Sequence, residues 1–214
     1  DYPGPEEAWR EFARTSPGPE PKACALAIAG PVNGDVVPMA NSPWVLRISA
    51  FKQALGLEAV TVLNDFGAVA HAVARVPEDQ LVHITGPEGP LPAAGTVSVI
   101  GPGTGLGVAH FHRYPGGYHV QATEGGHIGF APQDELDDAV LGSLRARYGR
   151  VATERVNAGP GITEIYRAMG GSVLPDDRTI WQKGIAREDE LASRAVDRFC
   201  GSLGSVVGDY ALAH

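Results

Sequence analysis

The chain has 214 residues, of which 43% are hydrophobic and 20% charged, with a formal net charge of −8. That length holds one large domain or two small ones, and the composition is that of an ordinary globular chain. The acidic balance excludes a general nucleic-acid binder, which needs cations to neutralise phosphates in bulk, but not a small phosphorylated ligand held by backbone amides. No apolar run reaches membrane-spanning length and no signal peptide is evident, so no membrane is expected and a cytoplasmic location is. Cys24 and Cys200 have no CxxC neighbour and read as reduced core thiols.

In chain order, Glu6 to Arg14 has helical spacing, with Ala8, Trp9, Phe12 and Ala13 apolar. Ser16 to Pro21 is a Pro/Gly linker, and Ala23 to Ala29 reads as a small-residue buried strand. Asn33-Gly34 is a hairpin signal that returns the chain as a second strand over Asp35 to Ala40. Ile48 to Leu55 reads as a short helix closed by Gly56. Ala59 to Leu63 is a buried strand running into Asn64 and Asp65, and a helix follows over Phe66 to Arg75 with Val69 and Val73 on one face. A polar connection leads to a strand at Thr96 to Ile100, then to the glycine cluster Gly101 to Gly107. Val108 to His112 and Tyr118 to Thr123 read as paired strands around Pro115-Gly116-Gly117. Beyond Glu124 to Phe130 the pattern is helical: Glu135 to Tyr148, a short segment opened by Thr153-Glu154, Thr163 to Met169, and Glu188 to about His214. βαβ character in both halves predicts an α/β chain of two lobes, with domains at 1–75 and 76–214.

Four stretches could carry chemistry. The carboxylate of Asp65 ends a buried strand, at the mouth of an open α/β sheet where ligands usually bind. An N-cap for the following helix explains it equally well. GPGTGLG lets the backbone approach an anion closely, yet it fits neither the GxGxxG dinucleotide fingerprint nor a P-loop. It is a phosphate cradle of another type or a tight hairpin. In EGGH, Glu124 and His127 stand three apart across two glycines, so both can converge on one polar object. A carboxylate accepting two hydroxyls and an imidazole donating one bond and accepting one suit vicinal hydroxyls of a sugar. A His–Glu pair within a turn is the plain alternative, and no third ligand stands at metal spacing. Glu154 reads as an acid at a helix start, favourable with the helix dipole.

Taken together, LNDF, GPGTGLG, EGGH and TERVNAGPG, with AIAGPVNGDVVPMANSPW and GHIGFAP, resemble the bacterial glucokinase family. The resemblance covers essentially the whole chain. It implies the actin-like ATPase (ribonuclease H-like) two-lobe fold and transfer of the γ-phosphoryl of ATP, with Mg²⁺, to the 6-hydroxyl of glucose. Asp65 would be the catalytic base. Asn64, Gly105, Glu124, His127 and Glu154 would bind the sugar, and Gly103, Thr104 and Gly105 the ATP phosphates. A homodimer is implied as well. Against the family pattern, the opening strand with its DxGGT-type loop and the later adenosine motif are not in these residues, so the chain reads as a fragment truncated at both ends, unstable and weakly active by itself. The zinc motif of the related repressor and kinase group is also lacking. A non-catalytic sugar-binding regulator on the same fold is the alternative; it would not need Asp65.

Overall fold

A computed structural model describes residues 2–39, 42–172 and 176–214, and the chain divides into two compact units, Asp1–Val82 and His83–His214.

The first unit opens with helix α1 (Pro5–Thr15), which has Pro at its first turn, Glu6 and Glu7 at the positive end of its dipole and Arg14 at the other. Its Trp9 meets Phe51 edge-on, with ring centroids 6.3 Å apart. Strand β1 (Ala23–Ile28) buries Cys24 and Ile28. Strands β2 (Val36–Pro38) and β3 (Val45–Arg47) pair antiparallel, and helix α2 (Ile48–Ala54) follows directly. That helix has no side-chain cap of its own. Asp35 supplies one from a distance, its Oδ1 accepting from the Ser49 amide at 2.8 Å and from the Ser49 hydroxyl at 2.6 Å. Strand β4 (Ala59–Asn64) lies parallel to β1, in a register running from Ala23 opposite Ala59 to Ile28 opposite Asn64. Helix α3 (Asp65–Val73) then starts without an intervening loop. Val37, Leu46, Phe51 and Leu57 form the buried centre of this unit.

The second unit opens with an antiparallel meander of β5 (Gly95–Pro102), β6 (Leu106–Tyr114) and β7 (Gly117–Thr123), in that order across the sheet. The remainder is helical. Helix α4 (Glu135–Tyr148) is capped by Asp134 and ends at Gly149, where φ is 67°. A one-turn helix α5 (Glu154–Asn157) precedes α6 (Ile162–Ala168), α7 (Asp177–Ile185) and the long α8 (Glu190–Leu212). Val140, Leu144, Val156, Ile162, Ile180 and Phe199 pack between these helices as the main core. A smaller cluster joins Val206 and Tyr210 of α8 to Leu106 and Val108 at the base of the β5–β6 hairpin.

Several expectations from the pattern need correction. Asn33-Gly34 does turn the chain, with Gly34 at φ 77°, but β2 folds onto β3 and not back onto β1, which takes β4 instead. Strand β3 was not predicted, because three residues are too few to show alternation. Residue 40, the expected end of the second strand, lies outside the described residues. The second unit contains no parallel pair among the described residues, so its βαβ reading fails: tight turns join all three strands as hairpins. Helix α7 went unread because Gly184 interrupts it; that glycine permits close packing, since a Cβ there would lie 2.6 Å from the Ala192 carbonyl oxygen of α8. Val69 is exposed, and α3 buries Gly67 and Ala70 instead. Cys200 is exposed on α8, so only Cys24 is a core thiol.

A partly buried ionic cluster ties α8 to the start of α4. Asp137, 2% exposed, accepts from Arg198 Nε at 3.0 Å, while both terminal nitrogens of Arg198 reach Asp134 at 2.6 Å. The Asp137 backbone N–H, and after it the Arg198 guanidinium, hold the Asp134 carboxyl below its ordinary value. A carboxyl depressed in the folded state contributes stability above its unfolded value of about 3.9, and that contribution disappears as pH falls through the folded value. Asp134→Asn keeps a capping side chain but loses the charge. The melting temperature of this variant should therefore fall less steeply than that of the parent as pH drops below about 4, as followed by circular dichroism.

Candidate active site

In the first unit, β4 delivers two polar residues to the start of α3. Asn64 is the N-cap: its Oδ1 accepts from the Gly67 amide at 2.9 Å, and its Nδ2 donates to the Gly30 carbonyl at 3.2 Å. This corrects the capping alternative for Asp65, which is the first residue of the helix proper. The Asp65 Oδ1 accepts from the next backbone amide, that of Phe66, at 2.8 Å, and its Oδ2 accepts no hydrogen bond among the described residues. One carboxylate oxygen is thus held by the backbone while the other has no partner among the described residues. Asn64 has one amide hydrogen left without a partner among the described residues after meeting its structural duties.

In the second unit, the glycine-rich loop is the tip of the β5–β6 hairpin, with Pro102 opposite Leu106. Gly103 donates its amide to the Gly105 carbonyl at 2.7 Å, so that N–H is consumed within the turn. The amides of Thr104 and Gly105 and the Thr104 hydroxyl make no hydrogen bond among the described residues. Of the three loop residues expected at the phosphates, Thr104 and Gly105 thus keep amides without a partner among the described residues, while the Gly103 amide is engaged within the turn.

Glu124 leads from β7 into a single 3-10 turn, Gly125–His127. The His127 ring stands between two carboxylates, with Nε2 3.7 Å from Glu124 and Nδ1 3.4 Å from Glu154. Both contacts are too long for good hydrogen bonds, so a hydroxyl that replaced either would gain a full one. Glu154 also borders the hairpin tip: a Cβ on Gly105 would lie 2.9 Å from its Oε2. A shallow cleft of about 160 Å³, lined by Thr104, Tyr148, Glu154, Arg155, Pro160 and Glu164 among others, joins that tip to Glu154. The structure thus gathers Gly103, Thr104, Gly105, Glu124, His127 and Glu154 in one unit.

The supports of this cluster escaped the sequence reading. Residues 127–130 and 150–154 are stitched edge to edge. Arg150 donates to the His127 carbonyl at 2.7 Å, Thr153 N–H to Ile128 at 2.8 Å, the Thr153 hydroxyl to Gly129 at 3.2 Å, and Phe130 N–H to Val151 at 3.1 Å. No local pattern announces bonds between residues more than twenty apart. The glycines of EGGH, by contrast, have a spatial reason. A Cβ on Gly125 would lie 2.5 Å from the Tyr210 hydroxyl, and one on Gly126 would lie 2.1 Å from the Leu106 carbonyl oxygen.

This arrangement, a carboxylate at a strand end, a free-amide hairpin tip and a carboxylate–imidazole–carboxylate group, occurs on an α/β chain that belongs to the glucokinase family, whose model matches residues 1–214. The glucokinase of Zymomonas mobilis is 48% identical over 211 residues, a match covering 96% of this chain and 65% of that protein. The glucokinase of Chromobacterium violaceum is 35% identical, with 99% and 62% covered. The chain thus spans less than two thirds of the length of these relatives. The crystal structure of a glucokinase from an Antarctic psychrotroph superposes with a TM-score of 0.83 at 34% identity, over 100% of this chain and 67% of that one. The fold is accordingly the actin-like ATPase fold of the glucokinases. The glucokinase of Balamuthia mandrillaris, solved in complex with glucose, shares that fold at 17% identity and a TM-score of 0.72, covering 97% of this chain and 65% of its own.

Gly126→Ala should destabilise the second unit by about 1–3 kcal/mol, because a backbone carbonyl cannot step aside as a side chain can. Gly129→Ala, with nothing within 4 Å of the added carbon, should change stability little. Urea denaturation of the two variants side by side measures the difference.

Proposed function

We propose that the protein is a glucokinase that transfers the γ-phosphoryl group of ATP to the 6-hydroxyl of glucose. The observation that carries this reading is the position of Gly105, whose Cβ would meet Glu154 at 2.9 Å. A hydroxyl-binding group and an anion-binding turn are adjacent in one unit, as a phosphorylated sugar requires. In this reading Glu124, His127 and Glu154 hold hydroxyls of the pyranose. Asn64 contributes its remaining amide hydrogen, and Gly105 approaches the sugar from the turn. Gly103 shapes the turn, while Thr104 and Gly105 present amides to the phosphates.

Asp65 is the general base. As O6 attacks the γ-phosphorus, its proton passes to the free Oδ2, the O6–P bond forms, and the bond from the γ-phosphorus to the bridging oxygen breaks to release ADP. The Phe66 amide on Oδ1 fixes the carboxylate while this happens. Positioning and electrostatics supply most of the rate gain in such transfers. Among the described residues no group of three or more His, Cys, Asp or Glu side chains could hold a metal ion. In this reading Mg²⁺ enters the reaction as part of the nucleotide substrate, bound to phosphate oxygens.

No helix among the described residues is long and apolar enough to cross a membrane. The reading places the protein in the cytoplasm, where ATP is drawn and glucose 6-phosphate enters glycolysis, and in a homodimer as its family resemblance implies.

In the complete gene product carrying residues 1–214, Asp65→Asn should lower kcat by about 10²–10⁴-fold while leaving calorimetric glucose binding nearly intact. A coupled glucose 6-phosphate assay reads the turnover. Near-normal turnover in that variant would remove Asp65 from the base role. Glucose binding without any turnover in the parent would instead favour a non-catalytic sugar-binding regulator.

A further inference from the structure

Trp181 of α7 touches none of the residues assigned to the reaction, yet it is one hydrogen-bonded residue away from the hairpin tip. Its indole N–H donates to the Gly159 carbonyl at 2.9 Å. Gly159 in turn donates its amide to the Gly103 carbonyl at 2.8 Å. The Gly103 carbonyl and the Thr104 N–H belong to the same peptide plane and point in opposite directions. Fixing the carbonyl therefore fixes the direction of the Thr104 N–H, which has no partner of its own among the described residues.

The rest of the geometry makes this a rigid chain of contacts. The Trp181 ring packs edge-on against Phe199 of α8, with centroids 4.8 Å apart and planes at 83°. Phe199 is buried in the main helical core. A Cβ on Gly159 would lie 3.0 Å from the Gly103 oxygen, so the two backbones meet closely and a side chain there would push the carbonyl aside by a few tenths of an ångström. The core thus reaches the tip of an exposed hairpin through one indole and one glycine.

We infer that Trp181 is a positioning residue for the nucleotide phosphates, acting through Gly159 and Gly103 to aim the Thr104 amide. The inference rests on the kinase reading and adds a residue to it. It separates two functions within the second unit, because Trp181 bears on the phosphate turn while the Glu124–His127–Glu154 group is held by the Arg150 and Thr153 bonds.

The test uses Trp181→Phe in the complete gene product, which keeps an aromatic ring to pack against Phe199 while removing the N–H donor along with one of the two indole rings. The KM for ATP should rise about five-fold, the value of one neutral hydrogen bond. The KM for glucose should stay within experimental error of the parent, while the melting temperature falls modestly for the lost hydrogen bond and ring packing. Gly159→Ala, which presses on the Gly103 carbonyl without touching the Trp181 ring, should also raise the KM for ATP selectively, and it decides the matter if Trp181→Phe fails to fold. Equal changes in both KM values, or an unchanged KM for ATP in a folded variant, would overturn the inference. A parent protein that binds neither ATP nor ADP would overturn the kinase reading itself, so the two failures are told apart by titrating the parent with ADP.

Discussion

The carbonyl oxygen of Leu106 occupies the space that a side chain at position 126 would need. Leu106 is the first residue of β6 after the hairpin tip, and Gly126 is the middle of the turn that carries His127. This contact sets the turn that carries His127 directly on the base of the hairpin whose tip presents amides without a partner among the described residues. Similar close approaches surround it: Gly125 over Val108 and Tyr210, Gly105 against Glu154, and Gly159 against Gly103. Backbone meets backbone at Gly126 and Gly159, and side chains close on Gly125 and Gly105, because no Cβ intervenes. The abundance of glycine at these positions is a packing requirement as much as a conformational one.

Around this contact the electrostatics are arranged to leave capacity for a ligand. His127 stands between two carboxylates at distances that satisfy neither fully. Glu164, on the rim of the adjoining cleft, is occupied by Arg147 and Arg167 and so is a structural acid. Asp134 and Asp137 are likewise committed to Arg198. Acids with a cationic partner hold helices together, whereas among the described residues Glu124 and Glu154 have only a histidine that is itself shared. The same division holds in the first unit, where Asn64 performs the capping and so leaves one oxygen of Asp65 unengaged.

Membership of the glucokinase family gives these features a common context. The identity to the Zymomonas enzyme extends over nearly all of this chain while covering 65% of that protein. Every site residue discussed lies within the shared stretch of the family model, which matches residues 1–214.

The amino-acid order by itself determined the elements with strong periodicity and the motifs with special backbone needs. Glu135–Tyr148 was readable to the residue because an acidic start, a basic end and a closing glycine are all local signals. The GPGTGLG hairpin and the family resemblance were readable for the same reason, since glycine spacing is written in the sequence. Strand pairing was not: β1 takes β4 across more than thirty residues, while the turn signal at Asn33-Gly34 pointed to a nearer partner. Nor was the company of His127, because Glu154 reaches it only through bonds between residues 127–130 and 150–154. The links from Trp181 to Gly159 and from Gly159 to Gly103 belong to the same class. Local chemistry fixes most caps, turns and helix ends, since their partners lie within four residues, although α2 is capped by Asp35 from fourteen residues away. The assembly of a site from distant segments is decided by which faces the core buries, and only the folded chain shows it.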